Sequence, residues 1–163
     1  MKKALVVIDM QKCFCNEYTK YLPEKIKNEI ETGVYGLIVF TKFVNHEKSN
    51  FHAHGYKKCM DVNENELCNE IAEAAKKHRI FEKDAFSAFK ADGLVEFLKE
   101  NDVTEVCLCG TDTDACVMAS AYDAFDNGFR VKVLYELCAS CNGNEFHQNA
   151  ITLLKRNLGF KNQ

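Results

Sequence analysis

The chain has 163 residues, 47% of them hydrophobic and 28% charged, with one proline. That is about the length of one ordinary domain, with enough apolar material for a core, and it excludes a disordered or linker-rich array. A formal net charge of −3 argues against a dedicated nucleic-acid binder, which carries a basic excess. No apolar run approaches the roughly 18 residues of a membrane helix.

Residues 4–8 (Ala4, Leu5, Val6, Val7, Ile8) form a continuous apolar run ended by Asp9. Lys2 and Lys3 ahead of it resemble the opening of a secretory leader. The run of five is shorter than the roughly 7–15 residues such a leader needs, so the segment reads as a strand. Its lack of alternation fits a strand covered on both faces, as in a parallel sheet. Residues 23–32 read as a helix: Pro23 in the first turn, Ile26 and Ile30 on one face, Gly33 closing it. Residues 35–41 are a second buried strand. Residues 43–63 show no period and hold His46, His52 and His54.

A helix is predicted over 64–77, with Leu67, Ile71 and Ala74 on one face, then a short strand ending at Lys83. Asp92 is placed as the cap of a helix through Asn101. Residues 104–109 are the next strand, stopped by Gly110. Residues 114–127 form a helix with Val117, Met118, Ala121, Tyr122 and Phe125 along its apolar stripe and Gly128 after its end. Residues 129–135 are another strand. A last helix over 143–157 buries Phe146, Ala150, Leu153 and Leu154, and a sixth short strand starts at Phe160.

This alternation predicts one α/β domain over residues 1–163, a three-layer α/β/α sandwich. Its parallel sheet has five or six strands in the order 3-2-1-4-5-(6) with right-handed crossovers. In such sheets ligands bind beyond the C-terminal ends of the strands. Asp9, Thr41, Lys83 and the turn from Gly110 to Cys116 all fall on that rim. An acid, a base and a thiol therefore converge. Cys116 opens a helix, where the macrodipole and a nearby ammonium are expected to lower its thiol pKa and make it a nucleophile. Each residue singly has an ordinary explanation: a buried helix cysteine, a turn aspartate, a solvated lysine.

Nine cysteines are many for this length. Their odd number and the lack of an export signal predict reduced thiols in a cytoplasmic protein, most of them small core residues. Cys138 and Cys141 form a single C-x-x-C pair without the second pair a structural zinc site requires.

Four segments resemble the isochorismatase-like cysteine hydrolases, which include nicotinamidases and N-carbamoylsarcosine amidases. These are the strand leading into Asp9-Met10-Gln11-Lys12-Cys13-Phe14, the segment Lys83-Asp84-Ala85-Phe86-Ser87-Ala88-Phe89, the turn Gly110-Thr111-Asp112-Thr113-Asp114-Ala115-Cys116-Val117, and the helix end Ala121 to Gly128-Phe129. The resemblance implies a triad. Cys116 attacks a carbonyl to form a thioester, Asp9 acts as base and then acid, and Lys83 keeps both charged and positioned. It also implies a cis peptide at Thr111–Asp112 that aims the Asp112 and Cys116 N–H groups at an oxyanion. Phe14 is expected to line the pocket, with Phe43, Asn45, Phe86, Phe89 and Tyr122 as further candidates.

Nicotinamidases carry an Asp-x-His and further histidines after the second strand that hold a metal. Here that stretch reads Phe43-Val44-Asn45, which predicts no metal and no other cofactor, with His46, His52 and His54 as loop residues. The expected partner is a small amide, with neither nucleic acid nor membrane, and relatives imply a homo-oligomer. Two alternatives remain: a metal-dependent nicotinamidase, and a non-catalytic relative that binds a small molecule or senses oxidants through Cys116.

Overall fold

A computed structural model describes residues 2–159. The sheet has five parallel strands in the order β3-β2-β1-β4-β5. They are β1 (Lys2–Ile8), β2 (Leu37–Phe43), β3 (Arg79–Lys83), β4 (Val103–Thr111) and β5 (Arg130–Ala139). Between and after them lie α1 (Leu22–Glu31), the short α2 (Asn50–Ala53) and α3 (Val62–Asn65), α4 (Asn69–Ala75), α5 (Leu94–Glu100), α6 (Met118–Asp126) and α7 (Asn144–Asn157). The order reverses direction after β3, so right-handed crossovers put α1 and α4 on one face and α5 and α6 on the other. In keeping with this, α1 packs against α4, while α6 packs against β4, β5 and α7. The central strand is sealed on both sides: Ala4 through Ile8 are each 0% exposed. No helix among the described residues is long and apolar enough to cross a membrane. The expected sixth strand at Phe160 lies outside the described residues.

Several boundaries differ from the sequence expectation. β2 slides two residues toward its C-terminus, to Phe43. It is extended by the fully buried Gln11, whose Oε1 accepts the Phe43 N–H (2.7 Å) and whose Nε2 donates to the Phe43 carbonyl (2.9 Å). A side chain thus does the work of a neighbouring strand. The helix expected over 64–77 is broken at Glu66, which is extended. Residues 66–68 are drawn off to pair with 10–12: Lys12 N–H bonds the Glu66 carbonyl, Cys68 N–H bonds the Met10 carbonyl (2.9 Å each), and Gln11 faces Leu67 in an antiparallel bridge. Asp92 does not cap α5; Gly93, in a left-handed conformation, holds that position.

Three large residues expected inside lie outside. Phe125 is 58% exposed, Phe146 50% and Leu153 42%. The helices approach the sheet on narrow stripes, the small Ser120, Ala121 and Ala124 on α6 and Ala150 with Leu154 on α7. Bulkier side chains on their flanks stay at the surface.

Gly110 does not stop β4, which continues to Thr111. It sits at φ +117°, and a Cβ there would lie 2.1 Å from the Ile8 carbonyl oxygen. Gly110→Ala is therefore expected to destabilise the protein by more than the roughly 1–3 kcal/mol of ordinary overpacking. A urea midpoint equal to wild type would refute this reading of the β1–β4 contact.

Candidate active site

The strand ends bring Asp9, Lys83 and Cys116 together. Asp9 follows β1 at φ 50°, a conformation that aspartate tolerates better than bulkier residues. Its carboxylate is fully buried, and Oδ2 lies 2.6 Å from Lys83 Nζ. Oδ1 accepts a hydrogen bond from Thr41 Oγ1 (2.7 Å), at the C-terminal part of β2. Lys83, the last residue of β3, also donates from Nζ to the Ala85 carbonyl (2.8 Å) and to Cys116 Sγ (3.6 Å). The ammonium therefore stands between carboxylate and thiol. Burial works against its charge, but Asp9 and then Cys116 outweigh burial and raise its pKa.

Cys116 lies in a π-helical turn, Thr113–Val117, that leads into α6. The helix thus starts differently from the plain α-helix expected over 114–127. The Asp112 carbonyl accepts both the Ala115 N–H (3.1 Å) and the Val117 N–H (3.0 Å), and the Thr111–Asp112 peptide is cis. π-Turns of this kind are frequent at functional sites. Ser120 Oγ donates to the Cys116 carbonyl (2.6 Å) and accepts the Ala88 N–H (2.8 Å). One hydroxyl thereby ties the cysteine turn to the segment that follows Lys83.

The expectation of an acidified thiol fails in this environment. Cys116 is 8% exposed. Burial and the Asp9 carboxylate raise its pKa well above the ordinary thiol range, and Lys83 only partly opposes them. The helix start does not reverse the cost of placing a second anion beside Asp9. Burial and the neighbouring carboxylate thus favour the neutral thiol.

The remaining candidates scatter. Phe43 is buried, its ring centroid 5.2 Å from Lys83 Nζ. Phe14 is half-buried, 6.2 Å from Phe43 between ring centroids. Phe86 is 54% exposed and meets Phe51 edge-on at 4.7 Å. Asn45 presents no free amide to a ligand: Nδ2 donates to the carbonyls of Tyr56 (2.8 Å) and Lys58 (3.0 Å), and Oδ1 accepts from the His46 N–H and the Ser49 hydroxyl. It clamps the aperiodic loop. Phe89 belongs to the core, against Phe129. Tyr122 sits on α6 with its hydroxyl bonded to Asn157. Neither faces the cleft.

That cleft, about 640 Å³, is lined by Phe51, Tyr56, Ala85 and Phe86 among others. Sequence reading missed Phe51 and Tyr56. Their rings pack on Phe43 at 4.7 and 6.2 Å, and so join the cleft to the lysine. Burial first, then Asp112, Cys141 and Cys116, push the Tyr56 phenol up to about 12. Nothing in the linear pattern of residues 43–63 marks either ring.

The three loop histidines do not converge. His46 pairs with Asp84 (3.0 Å), His52 with Lys57 Nζ (2.7 Å), and His54 Nδ1 with the Asn50 carbonyl (2.8 Å). Among the described residues no three His, Cys, Asp or Glu side chains are arranged to hold a metal. Phe43 and Asn45, at the positions where the resemblance would put ligands, are respectively apolar and fully engaged. The residues present do not fit the metal site of nicotinamidases.

The cysteines are not all reduced. Cys13 and Cys59 form a disulfide with a Cα–Cα distance of 5.8 Å, inside the range a bridge permits. The pair is 46 residues apart in sequence; residues 10–12 pair with 66–68, and Cys59 is fixed by the Asn45 N–H on its carbonyl (3.0 Å) and by Glu64 Oε2 on its own N–H (2.9 Å). Cys15, Cys68, Cys107, Cys109, Cys116, Cys138 and Cys141 are free.

A parallel sheet of this order, with an acid, a lysine and a cysteine at its C-terminal rim, defines an α/β protein of hydrolase type. The isochorismatase domain matches residues 3–160, and the chain belongs to the isochorismatase family. It is 30% identical to nicotinamidase 3 of Arabidopsis thaliana over 96% of this chain and 81% of that protein. The structure of a pyrazinamidase/nicotinamidase from Streptococcus mutans superposes with a TM-score of 0.82 at 26% identity, covering 97% of this chain and 98% of that one. N-carbamoylsarcosine amidase from Thermoplasma acidophilum shares the fold, with a TM-score of 0.83 at 24% identity over 98% and 94% of the two chains.

Proposed function

We propose that the protein hydrolyses the C–N bond of a small amide through a covalent thioester on Cys116. The observation that carries this reading is the Lys83 ammonium held between the Asp9 carboxylate (2.6 Å) and the Cys116 sulfur (3.6 Å). In this reading the thiol proton passes to Asp9 as sulfur attacks the carbonyl carbon. The N–H groups of Asp112 and Cys116 hold the oxyanion. Protonated Asp9 then gives its proton to the leaving amine, the C–N bond breaks, and a thioester remains. Water, relieved of a proton by Asp9, attacks the thioester, releases the acid and restores the thiol. Lys83, its side chain fully buried beside Asp9, keeps compensating charge through these steps. The non-reacting part of the substrate rests among Phe14, Phe51, Tyr56 and Phe86.

Screening small amides for ammonia release, with mass spectrometry of the acid-quenched protein, tests this. Turnover with an acyl adduct on Cys116 supports it. Tight amide binding without release or adduct would instead favour a non-catalytic binding protein.

The reading is metal-independent, because the loop residues where relatives bind metal are apolar or already bonded. Activity is therefore expected to survive exhaustive chelation unchanged. A loss on chelation that zinc or iron restores would return the metal-dependent nicotinamidase to the lead.

A further inference from the structure

Two cysteine pairs cross the same two stretches of chain, and the proposed chemistry uses neither. Cys13 is bonded to Cys59, and the Cys15 thiol lies near enough to Cys68 to add to burial in raising its pKa. The stretches are aligned by the backbone bonds between residues 10–12 and 66–68. In each pair one sulfur-bearing residue is accessible and the other is not: Cys13 is half-buried and Cys59 fully buried, Cys15 exposed and Cys68 buried. Cys13 adjoins Phe14, whose ring lies 6.2 Å from that of Phe43. Cys59 ends the loop that carries Phe51 and Tyr56, and its carbonyl accepts the Asn45 N–H (3.0 Å). The far end of the cleft loop is thus held by the Asn45 bonds, by Glu64 Oε2 on the Cys59 N–H (2.9 Å) and by one covalent bridge.

We propose that Cys13–Cys59 is a thiol-exchange site for low-molecular-weight thiols of the glutathione class, and that its redox state sets how firmly the loop carrying Phe51 and Tyr56 is held over the substrate cleft. A small thiolate attacks the sulfur of Cys13, the less buried residue of the pair. The S–S bond breaks, and Cys59 leaves as a thiolate that takes up a proton. A second small thiol attacks the resulting mixed disulfide, so that Cys13 becomes a thiol and a small-molecule disulfide departs. One protein disulfide is reduced and two small thiols are oxidised. Asp9, Lys83 and Cys116 are held by bonds of their own, so release of the loop acts on substrate binding rather than on the chemical step. The kinetic part of this inference rests on the amidase reading; the exchange itself does not.

The test equilibrates the full chain across ratios of glutathione to glutathione disulfide. Differential alkylation with mass spectrometry reads the state of Cys13, Cys15, Cys59 and Cys68, and hydrogen exchange reads residues 46–58. As Cys13 and Cys59 become free thiols, exchange at 46–58 is expected to quicken about tenfold or more, as in a local opening. KM for an amide is expected to rise about fivefold with kcat little changed. The Cys13→Ser/Cys59→Ser variant is expected to match the reduced protein at every ratio. Running the exchange measurement on Cys116→Ala protein removes any effect of thiolation at Cys116. Free Cys13 and Cys59 at every ratio would overturn the proposal, as would cleavage of the bridge with no change at 46–58. Hydrogen exchange needs no turnover, so redox-dependent exchange in a protein that hydrolyses no amide would refute the amidase reading and leave the exchange site standing.

Discussion

Cys116→Ala is expected to abolish amide turnover while leaving the fold intact. Without the sulfur no acyl-enzyme forms, and neither Asp9 nor Lys83 offers a substitute nucleophile in the same place. The change removes one atom at the rim. It also relieves the site of the thiol that burial and Asp9 hold in its protonated form, so no charge is stranded. The Ser120 hydroxyl bonds the Cys116 carbonyl, a backbone contact that alanine keeps. The measurements are ammonia release from an active amide and circular dichroism as a folding control. Folded Cys116→Ala protein with near-wild-type turnover would remove the nucleophile and with it the thioester mechanism.

Changes at Asp9 and Lys83 are expected to have large effects of another kind, on rate and stability together. Asp9→Asn preserves the shape of the side chain and removes the proton acceptor, a role worth typically about 10²–10⁴-fold in rate. It also strands the Lys83 ammonium, whose side chain is 0% exposed, and breaking a buried ion pair costs about 3–5 kcal/mol. Lys83→Met strands the carboxylate at a similar cost. It also withdraws the group that pulls the Cys116 thiol pKa down. The thiol pKa then rises further and less thiolate forms at any given pH, so the activity profile of Lys83→Met should move toward alkaline pH. Because the two charges compensate each other, Asp9→Asn/Lys83→Met is expected to be less destabilised than the sum of the single changes. Urea denaturation of the four proteins closes the cycle. Strict additivity would mean that the pair is not coupled. Residues acting as a unit are also non-additive in rate, so Asp9→Asn/Cys116→Ala should be little worse than Cys116→Ala alone.

The architecture was legible because its signals are local. A five-residue apolar run ending at Asp9, apolar stripes at helical spacing and the regular alternation of the two define a parallel sheet. The strand-end rule then puts Asp9, Lys83 and Cys116 on one rim without reference to coordinates. What the tertiary structure alone decided depends on pairs far apart in sequence. Gln11 extends β2 through Phe43, 32 residues away, and the pairing of 10–12 with 66–68 breaks a helix whose own periodicity is good. Cys13 meets Cys59 in a disulfide across 46 residues, against the expectation of uniformly reduced thiols. Phe51 and Tyr56 join the cleft through Phe43 in a loop with no periodicity to read. The thiol of Cys116 shows the limit most clearly. Its place at a helix start predicts acidification, yet burial beside a carboxylate raises its pKa. Periodicity reports which face of an element is covered. Desolvation and the sign of the nearest charge belong to the assembled site, and there they outweigh the local helix field.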